Sequence, residues 1–217
     1  MSAAEDKVER LSARLADERS GRVVFLSHCL LNQNVRFLGG AQRRGIVPEA
    51  VEPFIRDGVG LYQMPCPEQL VWGGVMKRFI LRFYGAERTW ARFGGLLLPV
   101  FRWYTRWRYR AIAERVAGHI ADYARSGFEI VAVVGVGDSP SCGVEHTLDL
   151  RRSLPVVASF DLNAIEGPTF NERAVRACIV EGEGLYIEAL RRQLARRGLA
   201  VVFREFSPAT SPRATSR

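Results

Sequence analysis

Apolar positions along the chain alternate between two regimes, a helical spacing of three and four and short continuous runs. Residues 3–19 carry Ala4, Val8, Leu11 and Leu15 at helical intervals among charges, which predicts an amphipathic helix ended by Gly21. Residues 22–26 (RVVFL) are a continuous apolar run of buried-strand type and pass directly into Ser27, His28 and Cys29. A loop with a short helical stretch leads to Gly58, and 59–64 predicts a second strand ending at Pro65, Cys66, Pro67 and Glu68. From Ala111, the residues Ile112, Val116, Ile120 and Tyr123 share one face of a helix closed by Gly127. Residues 129–136 (EIVAVVGV) form the strongest strand pattern and lead into 137–143 (GDSPSCG). A fourth strand is expected over 155–160, helices over 171–180 and 183–197, and a fifth strand over 199–206.

Strands that alternate with helices, and that are apolar along their whole length, predict an α/β fold. The expectation is a single domain with a mostly parallel sheet and Rossmann-like layering. An N-terminal helix over 1–20 precedes the domain at 21–206, and a disordered tail over 207–217 follows it. Within the domain, 75–110 is dense in arginine and aromatic residues and reads as a helical insertion. Arg78 and Arg82, then Arg102, Arg106 and Arg110, repeat at i,i+4, as do Phe79 and Phe83, and Trp103 and Trp107. A helix pair of this kind can cover an active site, bind nucleic acid, lie on a membrane, or pack its aromatics on the sheet with arginines in water.

Composition narrows the choice. The chain has 217 residues, 47% hydrophobic and 25% charged, which excludes a wholly disordered or collagen-like protein. The net charge of +8 favours an anionic partner (nucleic acid, acidic lipid or a phosphorylated substrate), or else reflects a general preference for arginine. The N-terminal stretch lacks the hydrophobic core of a secretory signal. The longest apolar run, 93–101, falls far short of the roughly 20 residues a membrane span needs. A cytoplasmic location and no transmembrane segment are therefore expected. Four cysteines in such a chain point to reduced thiols that bind metal, react or pack, rather than to disulfides.

Cys29, Cys66 and Cys142 each lie just after a predicted parallel strand. The carboxyl ends of such strands share one edge, and that edge hosts ligands. Three thiols separated by long intervals can thus converge. Thiolates are soft ligands suited to iron–sulfur clusters and to zinc, and three protein ligands leave one metal position open. The competing reading makes them three small buried hydrophobes. Cys178 shares a helical stripe with Ala174, Val175 and Ile179 and reads as core.

At these cysteines the sequence resembles the thiouracil desulfurase family. Ser27-His28-Cys29-Leu30-Leu31-Asn32, with Asn34, Val35 and Arg36 following, is similar to the family's first cysteine motif. Cys66-Pro67-Glu68 followed by Gly73-Gly74 is similar to the second, and Ser139-Pro140-Ser141-Cys142-Gly143 to the third. The resemblance covers 22–74 and 127–206. It implies a [4Fe-4S] cluster held by Cys29, Cys66 and Cys142 with one iron free to take the sulfur of a small thiolated compound, such as a thiolated pyrimidine. It also implies that Glu68, with Ser139 or Ser141, handles protons near the substrate. His28, Asn32 and Arg36 are candidate substrate contacts, and His28 reads equally as an acid or base beside the cluster, a fourth ligand that would close the open site, or a hydrogen-bonded rim histidine. His28 stands where a small residue is commoner in that family and Asn32 where glycine is usual, so the chain reads as a desulfurase-related branch.

The second function class is a non-catalytic iron–sulfur or zinc protein that senses redox state or binds nucleic acid or membrane through 75–110. Gly135 and Gly137 follow a strand as in a dinucleotide fingerprint, but Pro140 occupies the third glycine position. His146 and His119 read as structural, and Glu145 and Asp149 as a solvated face.

Overall fold

The structure is a computed structural model and describes residues 3–80, 87–161 and 163–207. Its centre is a four-stranded parallel sheet of β1 (Arg22–Leu26), β2 (Gly60–Gln63), β3 (Glu129–Val136) and β6 (Phe203–Phe206), ordered β2-β1-β3-β6. The helices between these strands are α2 (His28–Leu31), α3 (Pro48–Arg56), α4 (Pro67–Val71), α5 (Glu87–Arg125), α6 (Leu150–Ala158), α7 (Gly167–Phe170) and α8 (Leu185–Ala195), with α1 (Ala3–Arg14) ahead of them. A second, antiparallel pair joins β4 (His146–Leu148) to β5 (Ile179–Glu181).

Alternation along β1 builds two cores, because successive side chains point to opposite faces. Val23 and Phe25 enter a large core with Tyr109, Ile120, Tyr186 and Ile187 from α5 and α8. Val24 and Leu26 face a smaller one with Val47, Ala50 and Val51 around α3. The sheet is thus covered on both faces, as expected for a parallel sheet. Each large side chain wholly withdrawn from water contributes about 1.5–3 kcal/mol, and Phe25, Tyr186 and Leu190 are fully buried.

Three readings of the sequence are corrected. Residues 155–160 are not a strand: 150–158 form α6, started by the Asp149 carboxylate accepting from Arg151 N–H at 2.8 Å. Leu150 and Leu154 are buried at helical spacing, a period that the short run after Pro155 concealed. Asp149 is therefore a helix cap rather than part of a solvated face. Residues 171–180 are not one helix but a π turn (Asn171–Val175), a 3-10 turn (Arg176–Cys178) and then β5. The expected helix pair in 75–110 gives way, from Glu87 on, to one 39-residue helix continuous with the predicted helix after Ala111. Arg82 and Phe83 lie outside the described residues, as does the tail from 208. The N-terminal helix ends at Arg14, and Val8, Leu11 and Leu15 of its stripe are exposed. Among the described residues no helix is long and apolar enough to cross a membrane.

Candidate functional site

In an open parallel sheet the crevice for ligands opens at the carboxyl ends of two neighbouring strands whose connections leave in opposite directions. Here those strands are β1 and β3, since β1 leads to β2 on one side and β3 to β6 on the other. Cys29 follows β1 in α2, Cys66 caps α4 after β2, and Cys142 lies six residues past β3. All three line one cavity of about 90 Å³ with His28, Arg36, Glu68 and Ser139. Among the described residues no three cysteine sulfurs lie within 4.8 Å of one another. The trio is therefore wider than a single tetrahedral zinc would hold it, since Zn–S bonds of about 2.3 Å put thiolates roughly 3.8 Å apart.

Two ion pairs enter the same cavity. Arg36 grips Asp138 with both terminal guanidinium nitrogens, at 3.0 and 2.5 Å, and donates through Nε to Gly40 C=O at 3.0 Å. Lys77, only 2% exposed, sits 3.3 Å from Glu68 and donates to Val35 C=O at 2.7 Å. The other Glu68 oxygen accepts from Ser139 Oγ at 3.2 Å. Ser139 Oγ in turn accepts from the backbone N–H groups of Ser141 and Cys142, at 3.2 and 3.0 Å. One hydroxyl thus ties the Cys142 loop to Glu68 on the Cys66 loop.

Burial raises the pKa of all three thiols: Cys29, Cys66 (pushed up to about 12) and Cys142 (well above its usual value). Each also has a neighbour that favours the thiolate. Arg36 acts on Cys29, the Gln69 N–H and the Lys77 ammonium act on Cys66, and Ser27 acts on Cys142. Ser27 Oγ is buried and makes no full hydrogen bond among the described residues. Burial likewise opposes the charge on Arg36, but Asp138 and the Cys29 thiol outweigh it and its pKa is raised. His28 is half-buried and its pKa is lowered by that burial.

The loops reach this geometry through close backbone approaches. A Cβ on Gly135 would lie 2.2 Å from Cys142 C=O, which accepts from Val136 N–H at 2.8 Å. A Cβ on Gly184 would lie 2.4 Å from Ser141 C=O, where α8 begins against the cysteine loop. The glycine at 135 thus serves loop packing rather than a dinucleotide.

The sequence-derived candidates divide. Cys29, Cys66, Cys142, Glu68, Ser139, His28 and Arg36 line the cavity. Ser141 is fully buried behind it with its hydroxyl 2.9 Å from Tyr109 OH, and Asn32 accepts from Asn34 instead of lining the cavity. Cys178 is buried and does not line the cavity, with its thiol 3.5 Å from Arg173 C=O. Lys77 and Asp138 were missed. The available signal was that only two of the 31 basic residues, Lys7 and Lys77, are lysines.

His119 bonds Tyr62 OH at 2.5 Å, and His146 bonds Glu205 at 2.8 Å. Glu145, His146 and Glu205 bring one potential ligand atom each within 4.8 Å, but Glu205 is already spent. Its second oxygen accepts the N–H groups of Val144, Glu145 and His146, fastening the segment after Cys142 to β6. Burial alone would raise the Glu205 carboxyl, yet these donors and the His146 ring hold it below its ordinary 4.5. Glu205 raises His146 above its ordinary 6.5. By linkage, the Glu205 contribution to stability is present above pH ~4.5 and lost as pH falls through its folded value. The His146 contribution is full below pH ~6.5 and lost as pH rises through its folded value. The melting-temperature gap between wild type and His146→Ala should therefore be widest near pH 5–6 and shrink towards pH 9. A gap constant across pH 6–9 would show the ring–carboxylate pair to be irrelevant to stability.

No family model matches the chain, and no solved structure matches it. It is similar to an uncharacterized protein of Methanocaldococcus jannaschii, 22% identical over 123 residues that span 57% of this chain and 68% of the relative.

Proposed function

We propose that this protein is a [4Fe-4S]-dependent desulfurase acting on a small thiocarbonyl compound such as a thiolated pyrimidine. The observation that carries the reading is the convergence of three thiols from three strand ends on one cavity that also holds Glu68. The chemistry of the donor set is what such a cluster takes: three soft sulfurs lining one cavity, each beside a group that favours the thiolate. Ser27 Oγ, buried without a full hydrogen bond beside Cys142, has a donor to offer a sulfur. Cys29, Cys66 and Cys142 would hold the cluster, which when bound would supply a Lewis-acidic iron with affinity for sulfur.

The chain supplies the rest. Phe37, Trp72 and Phe170 give the cavity an apolar wall against which a flat ring can rest and from which bulk water is kept. Glu68, fixed by Lys77 on one oxygen and Ser139 on the other, is placed to take a proton from water at its carboxylate. Ser139 acts as a positioning residue, because its own hydrogen is directed to Glu68. Such an enzyme would work in the cytoplasm, where thiols stay reduced.

Anaerobic purification tests the reading: a brown protein with about four irons and four sulfides, and release of sulfide from a thiolated pyrimidine, are expected. Colourless protein holding a single zinc would refute it. A brown protein inert towards thiolated pyrimidines and other thiocarbonyls would leave the non-catalytic iron–sulfur reading.

A further inference from the structure

A second groove lies between α5 and α8 and shares no lining residue with the cysteine cavity. It encloses about 310 Å³ and is walled by Trp103, Trp107 and Arg110 from α5 and by Arg192 and Arg196 at the end of α8. Large aromatic side chains are normally withdrawn from water, yet Trp103 is 68% exposed and Trp107 58% exposed. They stand one helical turn apart, so their rings project from the same side of α5. Arg106 and Arg192 both pair with Glu188, the one acidic residue of the groove. Arg110 and Arg196 have no ion pair among the described residues, so two guanidiniums are left for an anion from outside.

We propose that this groove binds a single-stranded nucleic acid, with bases stacked on Trp103 and Trp107 and phosphates met by Arg110, Arg196 and the Arg106–Glu188–Arg192 cluster. The Arg108 guanidinium lies over one face of Trp107, 5.7 Å from its ring centroid, so stacking uses Trp103 and the other face of Trp107. Exposed aromatic faces beside a cationic track are the elements from which sequence-tolerant strand binding is built. Arginine suits this role because its planar fork matches phosphate oxygens in pairs. The charge of the chain, +8, draws a polyanion to the surface before any contact forms. A bilayer surface is the poorer occupant. It calls for a continuous apolar face, whereas here Arg106 and Arg110 interrupt the tryptophan stripe and the site is concave. The groove stands apart from the cluster residues, so its binding does not depend on desulfurase activity.

The test is fluorescence anisotropy of the full-length protein with a labelled 12-mer oligouridylate, run across salt concentrations. Binding should quench tryptophan emission. Its log–log salt slope should be about −2, as three phosphate contacts on a single strand require, one each at Arg110, Arg196 and the net-cationic Arg106–Glu188–Arg192 cluster. Trp103→Ala and Trp107→Ala should each weaken binding by about 10-fold or more, and Arg110→Glu with Arg196→Glu should weaken it and flatten the slope. Melting temperatures establish that each variant is folded. A duplex of the same length should bind more weakly, because its bases are already stacked. Affinity unchanged in the tryptophan variants, equal binding of duplex, or binding of phosphatidylserine vesicles with none of RNA would each overturn the proposal.

Discussion

Glu68→Gln is expected to keep the iron and sulfide content of the wild type and to lower desulfuration about 10²–10⁴-fold, the usual worth of a placed general acid or base. The position of one carboxylate decides this. Glu68 follows a cysteine and a proline that opens α4, and its two oxygens are separately engaged by Lys77 and Ser139. Glutamine keeps an acceptor for Ser139 but cannot take a proton from water, and it leaves the buried Lys77 ammonium without its counter-charge. That loss alone costs about 3–5 kcal/mol, so the single variant should melt earlier. The double variant Glu68→Gln, Lys77→Met removes both charges together, which is often close to neutral for a buried pair. It should regain much of the stability and none of the turnover. Recovery of turnover along with stability would make Glu68 a structural partner of Lys77 and nothing more. The same would follow if Glu68→Gln alone stayed near full rate.

This pair also shows what could be read from the chain and what could not. β1 and β3 and the cysteines after them were legible because buried parallel strands carry near-continuous apolar runs, whereas β2 (GLYQ) is only half-buried and was marked by the turn formers around Cys66. Glu68 was legible because it stands two residues from Cys66. Lys77 was not: its partner Glu68 lies in another turn, and a lysine in a segment crowded with arginines looks like one more solvated cation. Asp138 was not singled out, because Arg36, its partner, is 102 residues away. Ser141 was misplaced for a related reason. Flanking Pro140 gives two serines equal standing in sequence, but the loop turns Ser139 to Glu68 and Ser141 back to Tyr109. Residues 155–160 failed because a short apolar run has no period of its own, and the helix that takes up 155–158 is set by Asp149 upstream.

Cys29→Ala, Cys66→Ala and Cys142→Ala should each abolish the cluster, while Cys178→Ala should leave its iron and sulfide content unchanged. Replacing CH2–SH by CH3 removes one sulfur atom, and in a core such a change costs on the order of 1 kcal/mol. Each variant should therefore still fold without metal, with the circular dichroism of the metal-free wild type. In the proposed site three loops would each hold the cluster at one point, and two thiolates would not satisfy what three do. Iron loss in a folded protein separates ligation from packing, which is the distinction that cysteine burial alone leaves open. Cys178 is buried against Arg173 C=O on a turn that does not line the cavity. If Cys178→Ala also shed the iron, all four cysteines would ligate and no iron would be open to substrate. If any one of the other three variants kept its full complement of iron, that cysteine would be core and the three-ligand site would be wrong.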